Sequence, residues 1–190
     1  GLGVDDACDD APALADAARV RAAAPPFAAD AHKGTRGRVA IVGGAPGMAG
    51  AATLATLAAL RSGAGLVRTL VAPASVAVVQ GSAPAALAGA WPEDDAAVDA
   101  LVARWADALL VGPGLGPDAR ARIERLLAAY GGAVVLDADA LNAFPGDLAG
   151  LARALGTGRA ALLTPHPLEL ARLVGAPLAE LLVAEERLLA

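Results

Sequence analysis

The chain has 190 residues, of which 56% are hydrophobic and only 3% aromatic, and its formal net charge is −5. An acidic chain with one lysine and no cluster of basic side chains cannot neutralise many phosphates, which excludes nucleic acid as the main partner. Its single cysteine excludes an internal disulfide and a cysteine-rich zinc site, and favours a reducing, cytoplasmic compartment. The acidic start of the chain is unlike a secretory signal peptide.

Residues 1–31 differ in composition from the rest of the chain. They are rich in Ala, Asp and Pro and contain no apolar run typical of a strand, although residues 9–21 are compatible with a short helix. We predict that they form a linker or N-terminal extension, and that residues 32–190 form the domain.

From Arg38 onward, short apolar runs bounded by Gly, Pro or Asp alternate with helix-like stretches. This alternation predicts an α/β fold, a three-layer sandwich around a mostly parallel sheet, because strands apolar on both faces need helices on both sides. The predicted strands are Val39–Val42, Leu66–Val71, Ala108–Val111, Ala133–Leu136 and Ala160–Leu163. The predicted helices include Ala51–Arg61, Ala96–Trp105, Ala119–Tyr130 and Asp147–Leu155.

Two long uncharged runs, residues 39–60 and 69–92, raise the question of a membrane span. Each run is interrupted by several glycines or prolines, which favours a strand, a turn and a helix over one spanning helix. We therefore predict no membrane insertion.

Ligands of parallel α/β sheets bind outside the carboxyl ends of the strands, so the loops there are the candidate sites. The first predicted strand is followed by GGAPGMAGAA, whose glycines permit close backbone approach to a ligand at a helix N-terminus. Its G-x-x-G-x-x-G spacing, and the lack of an acidic residue after Val71, count against a Rossmann dinucleotide site. The structural alternative is a tight turn with close helix packing.

The loops after the third and fourth predicted strands are also rich in Gly or acidic residues. GPGLG (Gly112–Gly116) permits backbone contact with a ligand, and Pro117 suits a helix start. In DADALN, Asp137 stands at a strand end, where a carboxylate needs a partner. We interpret Asp139 as the N-cap of a short helix.

The last candidate loop is TPHPLEL, in which His166 lies between two prolines that restrict its backbone. Such rigid placement favours a functional role. The alternative is a histidine that organises the start of a helix together with Thr164 and Glu169. His32 has no nearby ligand spacing, so we predict no metal site, and the absence of G-x-S-x-G counts against a serine hydrolase.

Taken in order, these segments resemble the NAD(P)H-hydrate dehydratases. The stretch HKGTRGRVAIVGGAPGMAGAATLATLAALRSGAGLV resembles the opening block of that family, and GPGLG, LDADALN and LTPHPLELARL resemble its next three blocks. The resemblance covers residues 32–174 and implies a ribokinase-like fold. It also implies the repair of NADHX or NADPHX, the hydrates of NADH and NADPH, at the expense of ADP or ATP with Mg²⁺. Phosphorylation turns the poorly leaving hydroxyl of the hydrate into phosphate, a good leaving group.

The resemblance assigns residues to substrate binding one by one. By position in the family blocks they are Gly50, Ala51, Gly112, Gly114, Asp137, Asn142, His166 and Glu169. No catalytic residue is assigned, because the family's catalytic aspartate belongs to an N-x-G-T-G-D-type block that would lie beyond Ala190. We therefore expect the sheet to be incomplete on its C-terminal side, with an exposed edge, and these 190 residues alone to be inactive.

The resemblance also bears on partners. Residues 1–31 resemble the junction that follows an epimerase domain in bifunctional members, which implies a fused epimerase upstream. Family members form tetramers, which implies a homo-oligomer. Three alternatives remain open at this point: a ribokinase-like kinase of a small alcohol, a non-catalytic nucleotide-binding or assembly module, and an NAD-dependent dehydrogenase.

Overall fold

A computed structural model describes residues 16–24 and 28–181. Most of the linker predicted for residues 1–31 lies outside these ranges. The strands are β1 Arg38–Val42, β2 Leu66–Val71, β3 Leu87–Ala90, β4 Ala108–Val111, β5 Ala133–Leu136 and β6 Ala161–Leu163. The helices are α1 Ala17–Ala23, α2 Ala49–Arg61, α3 Val76–Ser82, α4 Asp95–Val98, α5 Arg120–Ala129, α6 Asp139–Asn142, α7 Leu148–Leu155 and α8 Pro167–Val174.

The six strands form one sheet in the order β3-β2-β1-β4-β5-β6, and every neighbouring pair is parallel. This confirms the predicted α/β fold, and the five predicted strands agree with the observed ones to within one residue. The additional strand, β3, reads LAGA and was missed because Ala and Gly give little β signal.

Two helical segments differ from the prediction. The stretch expected as one helix over Ala96–Trp105 is α4 followed by a π-helical turn, Asp99–Ala103. Helix α3 was not predicted; it follows a 3₁₀ turn at Pro73–Ser75, where proline suits the first helical position.

No helix in the described ranges is long and apolar enough to cross a membrane. The first uncharged run instead forms most of β1 and α2, and the second forms the second half of β2 together with α3 and β3.

Side chains of β1 alternate between two cores, as expected for a sheet covered on both faces. Ala40 and Val42 join a core with α5, α7 and α8, whose members include Ile123 and Leu151. Ile41 belongs to a second core on the α2 and α3 side. Helix α2 is anchored to the sheet by a polar contact as well, since Thr56 Oγ1 lies 2.6 Å from Thr69 Oγ1.

At the other end of the sheet, β6 is an edge strand in the described part of the chain. Leu162 is paired in register with Val135 of β5 and is 58% exposed. Helices α2 and α3 pack against β1, β2 and β3, at the opposite end of the strand order from β6. The incompleteness of the sheet on its C-terminal side stays a prediction.

A charged pair lies at the amino ends of the strands, opposite the candidate loops. Asp107 accepts hydrogen bonds from the backbone N–H and the guanidinium of Arg38, and these bonds lower the pKa of its carboxyl. Burial raises the pKa of Tyr130 near the same end. Both features are remote from the carboxyl ends of the strands and serve the scaffold.

Candidate functional site

The loops after β1 and β4 lie side by side, because these strands are neighbours in the sheet. Their backbones are joined directly: Gly44 N donates to Pro113 O at 3.0 Å, and Ala45 N donates to Gly114 O at 2.6 Å. The two glycine-rich loops therefore form one unit, held by main-chain atoms. Its glycines allow the backbones of the two loops to approach each other closely.

The glycines of this unit are required by space as well as by backbone conformation. A Cβ on Gly112 would lie 1.7 Å from the carbonyl oxygen of Asp137, and its φ is +128°. A Cβ on Gly43 would lie 2.2 Å from Pro113 O. The glycines fix how closely three neighbouring loops pack at this edge of the sheet.

Two predicted substrate-binding positions, Gly50 and Ala51, lie in the first turn of α2 and are exposed. Gly114, with φ of +59°, faces them: a Cβ built on it would be 3.2 Å from Ala51 Cβ. Met48, just before α2, is closer still, because its Cβ lies 2.9 Å from the Cβ built on Gly114. The structure thus brings Ala51 and Gly114 together as neighbours.

Asp137 has the partner that a carboxylate at a strand end was expected to need. Thr164 Oγ1 donates to Asp137 Oδ1 at 2.7 Å, linking the loops after β5 and β6. The carbonyl of Asp137 is the atom against which Gly112 packs. Asp137 therefore connects the glycine loops to the loop that carries His166.

The interpretation of Asp139 as an N-cap was wrong. The N-cap of α6 is Ala138, no side chain caps this helix, and Asp139 is its first residue. Asp139 Oδ2 instead accepts from Gly116 N at 2.8 Å, tying α6 to the loop after β4. Ala138 has φ of +49° and ψ of −117°, a conformation that favours glycine.

His166 is the N-cap of α8, as the structural alternative proposed. Its Nδ1 accepts from the backbone N–H groups of Leu168 and Glu169, and Glu169 Oε2 accepts from His166 N at 3.0 Å, forming a capping box. Because Nδ1 is an acceptor, the neutral ring carries its proton on Nε2. Nε2 lies 3.3 Å from Glu169 Oε1. The ring is 59% exposed, whereas the Glu169 side chain is only 8% exposed.

Asn142 borders a cavity of about 420 Å³ at the same edge of the sheet. Its Oδ1 accepts from Arg172 NH1 of α8 at 3.3 Å. The cavity is lined by Met48, Gly116, Pro117, Asp118, Ala119, Asp139, Asn142, Ala143 and Arg172. Asn142 is thus placed beside the glycine loops rather than apart from them.

The predicted residues fall into two linked groups. Gly50, Ala51, Gly112 and Gly114 belong to the glycine-loop unit, and Asp137 joins that unit to the loop after β6. Among the described residues, no hydrogen bond or ion pair connects His166 or Glu169 directly to the glycine loops. The predictions missed Arg172 and Met48. The only signal for Arg172 was its place one turn after Glu169 in LTPHPLELARL.

Comparisons with known proteins identify the family of the chain. The family model described as NAD(P)H-hydrate dehydratase matches residues 39–188. A bifunctional NAD(P)H-hydrate repair enzyme of Moorella thermoacetica is 41% identical over 92% of this chain, and that of Escherichia coli is 36% identical over 79%. These matches cover 34% and 27% of the two relatives, so the chain spans about a third of their length.

A solved structure gives the same result. The ADP/ATP-dependent NAD(P)H-hydrate dehydratase of Bacillus subtilis, co-crystallised with ATP and Mg²⁺, superposes with a TM-score of 0.73 at 29% identity. The alignment covers 94% of this chain and 61% of that one, which confirms the ribokinase-like fold. With a family model that matches most of its length, the chain belongs to the NAD(P)H-hydrate dehydratase family.

Proposed function

We propose that this chain contributes the hydrate-binding cleft of an ADP- or ATP-dependent NAD(P)H-hydrate dehydratase, and that its substrate is NADHX or NADPHX. The observation that carries the proposal is the convergence of the family's blocks at one edge of the sheet. Gly114 lies against Ala51, Gly112 packs on Asp137, and Asp137 is bonded to Thr164 two residues before His166.

In this proposal each group has a distinct task. The glycine-loop unit lets the substrate approach the backbone near Ala51 and Gly114. The exposed imidazole of His166 presents Nε2–H, whose nitrogen lies 3.3 Å from Glu169 Oε1, as its donor, because Nδ1 is already occupied by the helix cap. Glu169 holds that ring through the capping box, so it positions the donor without contacting substrate.

The nucleotide and the metal ion belong to the family rather than to residues identified in this structure. When bound, ADP or ATP with Mg²⁺ supplies the phosphoryl group that makes the hydroxyl of the hydrate a leaving group. Residues 16–24 and 28–181 contain no group of three His, Cys, Asp or Glu side chains able to hold a metal ion. We therefore assign no step that involves nucleotide or Mg²⁺ to the described residues.

The proposal extends to the context of the chain. The curated relatives are bifunctional, and this chain spans about a third of them, which supports an upstream epimerase domain in the same polypeptide. A homo-oligomer and a cytoplasmic location are likewise proposed, the latter because the chain has a single cysteine. Intact mass and light scattering of the native protein test the polypeptide length and the oligomeric state.

His166→Asn is the decisive variant for the cleft. Asparagine is among the best N-cap residues, so the unfolding free energy should change by only a few tenths of a kcal/mol. Loss of the imidazole donor should weaken binding of NADHX roughly tenfold, measured by calorimetric titration of the chain.

A second variant and the binding of the unmodified chain complete the test of His166. His166→Ala should lose both stability and affinity, since alanine neither caps the helix nor donates. Unchanged NADHX affinity in His166→Asn would limit His166 to capping. No NADHX binding by the unmodified chain would contradict the proposed function itself.

A further inference from the structure

The cavity between α6, α8 and the loop that precedes α5 carries charges of both signs that do not pair with each other. Asp118 and Asp139 line it as carboxylates, and Arg172 lines it as a guanidinium. Within the described residues the guanidinium of Arg172 makes no ion pair and donates one hydrogen bond, to Asn142 Oδ1. Other arginines, such as Arg38 and Arg120, are paired with carboxylates.

The hydrogen bonds already made show which groups remain available. Asp139 uses Oδ2 for Gly116 N, which leaves Oδ1 as an acceptor. Asn142 uses Oδ1 for Arg172, and its amide N–H groups make no hydrogen bond among the described residues, so they are left to donate. Arg172 has further N–H groups beyond the one bonded to Asn142.

This distribution of donors and acceptors selects the kind of ligand group. A phosphate would be attracted by Arg172 but would also meet two carboxylates, so an anion is disfavoured. A primary carboxamide is neutral and planar, with an acceptor oxygen and two donor hydrogens side by side. Its oxygen suits Arg172 and Asn142, and its NH₂ suits Asp139. Met48 adds an apolar wall next to Gly114.

The geometry points to this cavity as the subsite for the carboxamide of the hydrated nicotinamide ring. Arg172 and Asn142 donate to the carboxamide oxygen, and Asp139 accepts from the carboxamide NH₂. The inference rests on the proposed function, since it presumes that NAD(P)H hydrate is the substrate. It makes Asp139 the specificity-determining residue and Arg172 a binding residue for the carboxamide oxygen.

Two ligands that differ at one group provide the test. NADHX has a carboxamide, and the hydrate of reduced 3-acetylpyridine adenine dinucleotide has an acetyl group, with the same oxygen but no NH₂. The 190-residue chain should bind NADHX roughly tenfold more tightly in calorimetric titrations, because one charge-assisted hydrogen bond is lost with the analogue.

The variants separate the two halves of the subsite. Asp139→Asn keeps an oxygen for Gly116 N but loses the second acceptor, so it should abolish the preference between the ligands. Arg172→Ala should weaken both ligands by a similar factor, roughly tenfold, because both keep the oxygen. Arg153→Ala, an exposed arginine on α7, is the matched control and should leave both affinities unchanged.

The outcomes are distinguishable. A preserved preference in Asp139→Asn, or unchanged affinities in Arg172→Ala, would overturn the carboxamide subsite while NADHX binding by the unmodified chain would still support the proposed function. If the unmodified chain bound neither hydrate, the proposed function would fail first. Melting curves of each variant identify one that does not fold, and Asn142→Ala then provides a second removal of a donor to the oxygen.

Discussion

The two halves of the candidate site are built from different material. The loops after β1 and β4 are joined by backbone hydrogen bonds, such as Gly44 N to Pro113 O, and are packed through glycines. The loops after β5 and β6 are joined by side chains, chiefly Thr164 to Asp137. The glycine-loop unit therefore depends on the absence of side chains, and the other half depends on their presence.

The consequence is a difference in tolerance to substitution. A side-chain hydrogen bond can be removed singly, at a cost of about 0.5–1.5 kcal/mol. A new Cβ in the glycine-loop unit would instead move backbone that is shared by several loops. We expect one substitution in the glycine-loop unit to destabilise the whole unit. Substitutions in the other half should each have a separate and smaller effect on stability.

The largest effect is expected from Gly112→Ala. The added Cβ would lie 1.7 Å from Asp137 O at a φ of +128°, so the loop must move, and we expect a loss of about 3 kcal/mol or more in unfolding free energy. Gly47→Ala is the matched control. Its φ is +80°, but nothing lies within 4 Å of a Cβ there, so only about 1 kcal/mol of backbone strain is expected.

Urea unfolding of both variants measures the difference. Equal losses for Gly112→Ala and Gly47→Ala would mean that backbone conformation alone explains the glycines. The close packing of Gly112 on Asp137 would then have no energetic role.

A smaller effect is expected from Glu169→Ala on the side-chain half. Glu169 is 6% exposed and accepts from His166 N, so truncation leaves that donor without its partner and should cost about 1–2 kcal/mol. Glu169→Gln keeps an acceptor oxygen and should retain most of the stability. Urea unfolding checks both, and equal losses would show that the capping box contributes little.

The next substitution should raise the unfolding free energy instead of lowering it. Ala138 has a positive φ, and Ala138→Gly would relieve a strain of about 1 kcal/mol, partly offset by the greater freedom of glycine in the unfolded chain. The control Ala51→Gly lies in the first turn of α2 and should instead lose about 0.5–1 kcal/mol. Thermal melts should shift in opposite directions; a lower melting temperature for both would exclude strain at Ala138.

How well the sequence predicts this structure depends on how far apart in sequence the interacting residues lie. The strands were predicted because short apolar runs bounded by Gly, Pro or Asp are local signals. The candidate loops followed from the rule that ligands bind outside the carboxyl ends of parallel strands, and the individual binding residues followed from the family resemblance. The partners of Asp139, Asp137 and Asn142 are 23, 27 and 30 residues away in sequence. A local capping rule assigned Asp139 wrongly because it does not consider Gly116. Strand β3 carries too weak a signal to be found without its neighbour β2.

The smallest effect tests the side-chain hydrogen bond that joins the loops after β5 and β6 within the second half. Thr164→Val keeps the shape of the side chain but removes the hydroxyl that donates to Asp137 Oδ1. Since Thr164 is exposed, water can replace the lost donor, and the unfolding free energy should fall by only about 0.5 kcal/mol. Thr164→Ser keeps the donor and serves as the control.

A double-mutant cycle with Asp137→Ala isolates the pair, and a coupling energy near zero would mean that this hydrogen bond does not hold the loops together. A coupling well above about 1 kcal/mol would show that the side-chain half is as cooperative as the glycine-loop unit, contrary to the difference argued above.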